Sequence, residues 1–265
     1  MAKQKTFTQR TSDRISRAYH AKSFAGASNA LFGGIADVYE PYFEDLKDDL
    51  DKANIRILFR TYISLLVMIT LLAMLSGFGM ALSVMFMVSW PMLFEIVTVV
   101  MFPFILGIIA FSWMYIYPSW RARERSVDIR MNLPFALNHM SAIAGSGVAP
   151  SSMFQLLTNF DEYGEISNEA EKITTRIHAF GDDVTTAIRD VARETPSEEL
   201  KEVLYGVIST LETGGSLRDF LKESADRTLF DYKIEREKQI ERLTTFASFY
   251  TALLVAAPLF MIVIL

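Results

Sequence analysis

No cysteine occurs in the 265 residues, and that omission removes disulfides, thiolate metal sites and cysteine nucleophiles together. Histidine is scarce. His20, His139 and His178 have no second ligand-type side chain at helical spacing within one expected helix, so no metal site is expected. Glu165, Glu169 and the acids near them read as solvated helix surface. Ser146, Ser151 and Ser152 lack a paired base in a recognisable context, which leaves nucleophilic catalysis without a candidate. A concentrated basic face is also missing, and the net charge of −5 gives no footing for phosphate-backbone binding. The sequence therefore offers no catalytic, cofactor-binding or metal residues and no nucleic acid partner.

Charge is absent in a second, local sense. Between Thr61 and Tyr117 the one charged residue is Glu95, whereas residues 155–231 carry 17 Asp or Glu and 8 Lys or Arg. Segregation of this kind separates a membrane part from a water-facing part. The apolar stretch begins after some 56 mixed residues, so it is expected to be a permanent crossing rather than a cleavable signal. A crossing needs about 20 apolar residues at 1.5 Å of rise each. Residues 57–117 hold two, placed near 58–80 and 93–117, with the connection around Ser89, Trp90 and Pro91. A third apolar run, FASFYTALLVAAPLFMIVIL, follows Thr244 and Thr245.

Lysine and arginine are missing from the connection but crowd its surroundings: Lys47, Lys52, Arg56 and Arg60 before the first crossing, and Arg121, Arg123, Arg125 and Arg130 after the second. Lys233, Arg236, Lys238 and Arg242 precede the third. The positive-inside rule then predicts a multi-pass protein of the cell membrane with its N-terminus and residues 118–243 in the cytoplasm. Four regions result: mixed amphipathic helices over 1–56, a membrane pair over 57–117, a cytoplasmic part over 118–243 and a third crossing over 244–265.

The cytoplasmic part reads as wholly helical. Asn132 with Pro134 suggests a first turn, Gly145 and Gly147 end that helix, and Pro150 with Ser151 opens the next, which Gly164 closes. A third helix is expected from Ser167 to Ala179 before Gly181, and a fourth from Asp182 to Glu194. Thr195, Pro196 and Glu198 have the form of a capping box. Five or six helices on short turns make a bundle.

The stretch STLETGGSLRDF at 209–220 resembles a phosphate loop only superficially. Such a loop needs a preceding buried strand and a Gly-Lys-Ser or Gly-Lys-Thr ending. Gly214 or Gly215 suits instead the left-handed end of a helix, and Ser216 with Asp219 suits the cap and third position of the next. No Gly or Pro interrupts 216–243, so one helix is expected to run from the bundle into the third crossing. Before the first crossing, Phe24, Leu31, Ile35 and Val38, then Phe43, Leu46, Leu50 and Ala53, suggest two amphipathic helices broken near Pro41, lying along the bundle or the membrane surface.

The run NLPFALNHMSAIAGSGVAPSSMFQLL, then YGEISNEAEKITTRIHAFGDD, TPSEELKEVLYGVISTLETGGSLRDFL and the final apolar segment, resembles the F domain of the type II secretion system F family. These are membrane platform proteins of type II secretion, type IV pili, tight-adherence pili and archaeal filaments, and the lead-in LKDDLDKANIRILFRTYIS is similar to the last two branches. The resemblance implies an all-α membrane protein: a cytoplasmic antiparallel helical bundle with about three transmembrane helices. It further implies a non-enzymatic platform, worked by a hexameric secretion ATPase, that assembles pilin-like subunits in contact with membrane lipid. Tight-adherence members continue with a fourth crossing and many archaeal members with a second half. This chain is thus expected to act as a homo- or hetero-oligomer with a second platform half, or as a shortened platform. A membrane signalling protein with a relay bundle, or half of a transporter, remains an alternative.

Candidate contact or coupling residues are few. Glu95 is an acid in apolar sequence, which marks function when it lies within the bilayer and an ordinary interfacial position when it lies beside Trp90 and Pro91. Arg121, Arg123 and Arg125 serve as membrane anchors or as docking points for a partner. Gly214, Gly215 and Ser216 form the turn into the last long helix.

Overall fold

The computed structural model describes residues 43–55, 57–87 and 92–264, together with Gly26 and Ser28. All regular structure among them is helical. The chain divides into two compact units, residues 1–124 and 125–265. Most of the first of the two amphipathic helices expected on either side of Pro41, and the connection at Ser89, Trp90 and Pro91, lie outside the described residues.

The first unit contains α1 (Glu44–Lys52), α2 (Phe59–Met87) and the start of α3 (Met92–Gly145). Helix α1 puts Leu46 and Leu50 against Tyr62, with Phe43, Phe59 and Met114 around them. The Tyr62 hydroxyl, buried there, donates to the Met114 carbonyl at 2.7 Å, and Ser119 donates to the Asp49 carboxylate. Such partners are needed because an unmet polar group costs several kcal/mol in hydrocarbon. Thr70 and Ser64 meet the same need by donating to carbonyls one turn back, Leu66 and Arg60. Helices α2 and α3 approach at two glycines: Gly77 faces the Cα of Pro103, and Gly107 faces the Met74 side chain. Small residues at such places let backbones come close where lipid provides no hydrophobic drive.

Both helices are long and apolar enough to cross a membrane. The crossings differ from the expected 58–80 and 93–117 in being parts of longer helices. Pro103, Pro118 and Pro134 all lie inside α3, so Asn132 and Pro134 do not open a helix. Each proline forgoes one backbone bond. The bonds on either side and the burial of Leu133 and Leu137 outweigh that loss.

The second unit is a bundle built on the end of α3 with α4 (Pro150–Leu157), α5 (Glu165–Thr175), α6 (Val184–Glu194), α7 (Glu198–Thr213) and α8 (Leu217–Ile264). A 3-10 turn, Asp161–Tyr163, precedes α5, and a π-helical turn, Arg176–Phe180, continues it to Gly181. The helices contribute apolar stripes at three- and four-residue steps: Ile129, Leu133, Ala136, Leu137 and Met140 from α3, Ala187, Ile188, Val191 and Ala192 from α6, and Leu200, Val203, Leu204, Val207 and Ile208 from α7. Phe154 and Leu157 of α4 and Leu221 of α8 close the core.

Local chemistry sets the helix ends. Asp183 caps α6 by accepting from the Thr185 hydroxyl and amide, and these hydrogen bonds, the hydroxyl's first, hold its carboxyl below the usual aspartate range. Helix α7 differs from expectation: the cap is Ser197, whose Oγ accepts from the Leu200 amide at 3.2 Å, not Thr195. Thr195 is buried and its hydroxyl has no protein partner. Ser197→Ala is expected to lower bundle stability by about 1 kcal/mol, and Thr195→Val to leave it unchanged or raised. Thermal melts of the two variants in detergent distinguish the caps.

Gly214 ends α7 in the left-handed conformation with φ 70°, and the Ser216 hydroxyl accepts from the Asp219 amide at 3.3 Å. Of the two glycines, Gly214 alone has a positive φ. Helix α8 then runs unbroken for 48 residues. Leu221 and Ala225 are in the bundle core, while Phe246, Leu253, Phe260 and Ile264 are exposed along a membrane-length apolar stretch. Pro258 sits within that stretch.

Candidate functional site

Two charged features stand out in the bundle. The first is enclosed. Arg125 lies one turn before Ile129 on the core-facing stripe of α3, so helical periodicity directs it inward. Its side chain is 1% exposed, and it donates through Nε to Glu165 at 2.8 Å and through Nη2 to Glu169 at 2.5 Å. Glu169 is itself 2% exposed and also receives Lys172 Nζ at 3.1 Å. Beside them Asp128 accepts from the Glu165 amide at 2.8 Å. It thereby serves the free N-terminus of α5, where Gly164 has no side-chain cap. A planar guanidinium with two donor edges spans two carboxylates one turn apart, a geometry an ammonium cannot reproduce. The arrangement is a clamp between α3 and α5.

The second feature is open. Helices α7 and α8 leave a groove of about 370 Å³ between them. Its floor is Val203, Gly206 and the ring of Phe220. The ring occupies the space a side chain at residue 206 would fill, so the glycine, which otherwise weakens a helix interior, sets the groove's depth. Glu199, Glu202, Glu223 and Asp231 stand on the rim with Arg227. Arg227 reaches Glu202 at 3.4 Å with both side chains 71% exposed, and Arg130 reaches Glu199 at 3.0 Å.

The expected site residues fall in different places. Arg125 is not at the surface as an anchor or docking point; it is committed inside the clamp. Glu165 and Glu169, expected as solvated surface, are its partners. Arg121 pairs with Glu124 at 2.8 Å on an exposed face, and Arg123 is exposed. Glu95 lies in the first turn of α3, and its side chain is outside the described residues. Gly214, Gly215 and Ser216 form the expected turn, which is one helix end away from the groove. Sequence reading missed the clamp and the groove. The signal for the clamp was present: Arg125 precedes the 129, 133, 136, 140 stripe by one turn, and Glu169 falls between Ile166 and Ile173 on the buried face of α5. No group of three or more His, Asp or Glu side chains suited to a metal occurs among the described residues.

Residues 136–265 match the family described as type II secretion system protein F. An uncharacterized protein of Methanocaldococcus jannaschii is 31% identical over 147 residues, which are 56% of this chain and 25% of that protein. The flagella accessory protein J of the same organism is 26% identical over 101 residues, 38% of this chain and 18% of that protein. The alignments thus span a quarter or less of these relatives. No solved structure matches significantly.

Proposed function

We propose that this chain, whose residues 136–265 belong to the type II secretion system protein F family, is the membrane platform of a pilus-like or archaeal filament machine and couples a cytoplasmic secretion ATPase to the assembly of pilin-like subunits. The observation that carries the reading is α8. One uninterrupted helix is anchored in the bundle core by Leu221 and Ala225 and continues as an apolar segment long enough to cross a bilayer. A helix is stiff along its axis because its interior backbone groups are bonded within it, and in α8 the one proline, Pro258, lies well inside the apolar segment. A push or rotation applied to the bundle therefore reaches the membrane without a hinge. Ser216 and Gly214 fix the angle at which that rod leaves α7. The exposed apolar faces of α3 and α8 would be covered by lipid, pilin segments or a second platform half.

Orientation is the first test. The chain has no native cysteine, so single cysteines report without background. Ser197 is unsuitable because it is buried and caps α7; Thr213, exposed at the end of that helix, replaces it. A cysteine at Thr213 is expected to resist an impermeant maleimide in intact cells, and one at Ser89 to react. Labelling of Thr213→Cys from outside would place the bundle beyond the reach of any cytoplasmic ATPase and overturn the proposal. The purified chain is further expected to bind the cognate secretion ATPase while hydrolysing no ATP itself.

A further inference from the structure

We infer that the groove between α7 and α8 is the docking place of the cytoplasmic ATPase, and that it takes a segment in which lysine or arginine flanks one long apolar or aromatic side chain. The inference rests on the platform reading above and adds the surface and its chemistry. An apolar floor made of Val203 and the Phe220 ring, which sits down against Gly206, accepts an apolar anchor and desolvates it. Around it the charge is one-sided. Four rim carboxylates face one rim arginine, and Arg130, which pairs with Glu199, raises the cations to two. Glu223 and Asp231 then remain as the acids a basic segment would neutralise. The Arg227 to Glu202 pair is long and solvent-exposed, so an incoming cation can replace it at little expense, exposed pairs being worth about 0–1 kcal/mol. The position also suits the task. The groove is walled by the α8 segment on which Leu221 and Ala225 sit, so a partner seated there presses directly on the helix that continues toward the membrane.

Charge complementarity of this kind governs encounter rate and salt dependence more than final affinity. The full chain in nanodiscs, titrated with the secretion ATPase of the same organism at about 50 mM salt, should lose about tenfold or more in affinity on double reversal, Glu202→Lys with Glu223→Lys. The loss should shrink at about 500 mM salt. Glu171→Lys, a reversal of the same kind on the exposed face of α5 that carries half that change of charge, should bind as the unaltered chain does. Should the double reversal depress the melting temperature, the neutral pair Glu223→Gln with Asp231→Asn decides, with about a threefold loss expected. Binding unchanged in both groove variants, or reduced equally by Glu171→Lys, would overturn the groove as the docking place and leave the platform reading intact. An unaltered chain that fails to bind the ATPase would overturn both.

Discussion

Arg125→Leu should destabilise the bundle by about 3–5 kcal/mol, the usual penalty for leaving a buried ionic partner uncompensated. Glu169 is the reason. Its carboxylate is 2% exposed and has Lys172 as its other cation, at 3.1 Å; its second oxygen has no protein partner. Without the guanidinium, the buried Glu169 carboxylate keeps Lys172 as its cation while Glu165 lies one turn away on the same helix. The expected series is diagnostic. Arg125→Lys keeps the charge but cannot span both acids, so it should recover less than half of the loss. Arg125→Met combined with Glu169→Leu should recover most of it, because a buried pair replaced by apolar groups of similar volume is often neutral or stabilising. Thermal melts of the full chain in detergent, with limited proteolysis between α3 and α5 as a second readout, decide the matter. An Arg125→Leu chain that melts within about 0.5 kcal/mol of the parent would show that the clamp is no support at all.

The clamp also marks where sequence reading succeeded and where it stopped. Segregated charge and long apolar runs located the three helices that, among the described residues, are long and apolar enough to cross a membrane, because a crossing needs about 20 apolar residues in a row. Glycine at a left-handed position and serine at a cap are chemically enforced, which is why Gly214 and Ser216 stand where their neighbours required. Reading Thr195 as a cap failed for a specific reason. Thr195 and Ser197 both lie near the start of α7, and the choice between two hydroxyls two residues apart is made by which one the helix axis brings to the free amide. Reading proline as a helix start failed at Pro134 because tertiary burial on both sides overrides a local preference. Arg125 was misplaced by composition: three arginines at 121, 123 and 125 look like one cationic cluster, whereas helical phase sends Arg123 out and Arg125 in, and Arg121, one turn before Arg125 on the same side, stays partly exposed and pairs with Glu124. The groove was illegible, since it depends on Gly206 and Phe220, fourteen positions apart, meeting across two helices.

Three glycines in the first unit allow a sharper experiment on the membrane pair. Gly77, Gly79 and Gly107 share a composition but not a surrounding. A methyl group at Gly77 would meet the Cα of Pro103 and the Leu106 side chain, both at 3.0 Å; at Gly107 it would meet the Met74 side chain; at Gly79 it would meet nothing within 4 Å. What each neighbour can do decides the outcome. Met74 is unbranched and can turn aside, so Gly107→Ala should cost about 1 kcal/mol or less. Gly79→Ala should be neutral or slightly favourable through helix propensity. Pro103 offers backbone, which cannot rotate away, so Gly77→Ala must separate α2 from α3. Gly77→Leu, with three further carbons, should cost about 1–3 kcal/mol in overpacking and lose part of the dispersion contact that holds helices together in lipid. Denaturation of each full-length variant in bicelles with increasing SDS gives the ranking directly, and filament assembly in cells gives its consequence. The expected order of stability is Gly79→Ala, Gly107→Ala, Gly77→Ala, Gly77→Leu. A Gly77→Leu chain as resistant to SDS as the Gly79→Ala chain would mean that the two helices do not approach at Pro103, and that their association rests on the Tyr62 hydrogen bond to Met114 and the α1 contacts instead.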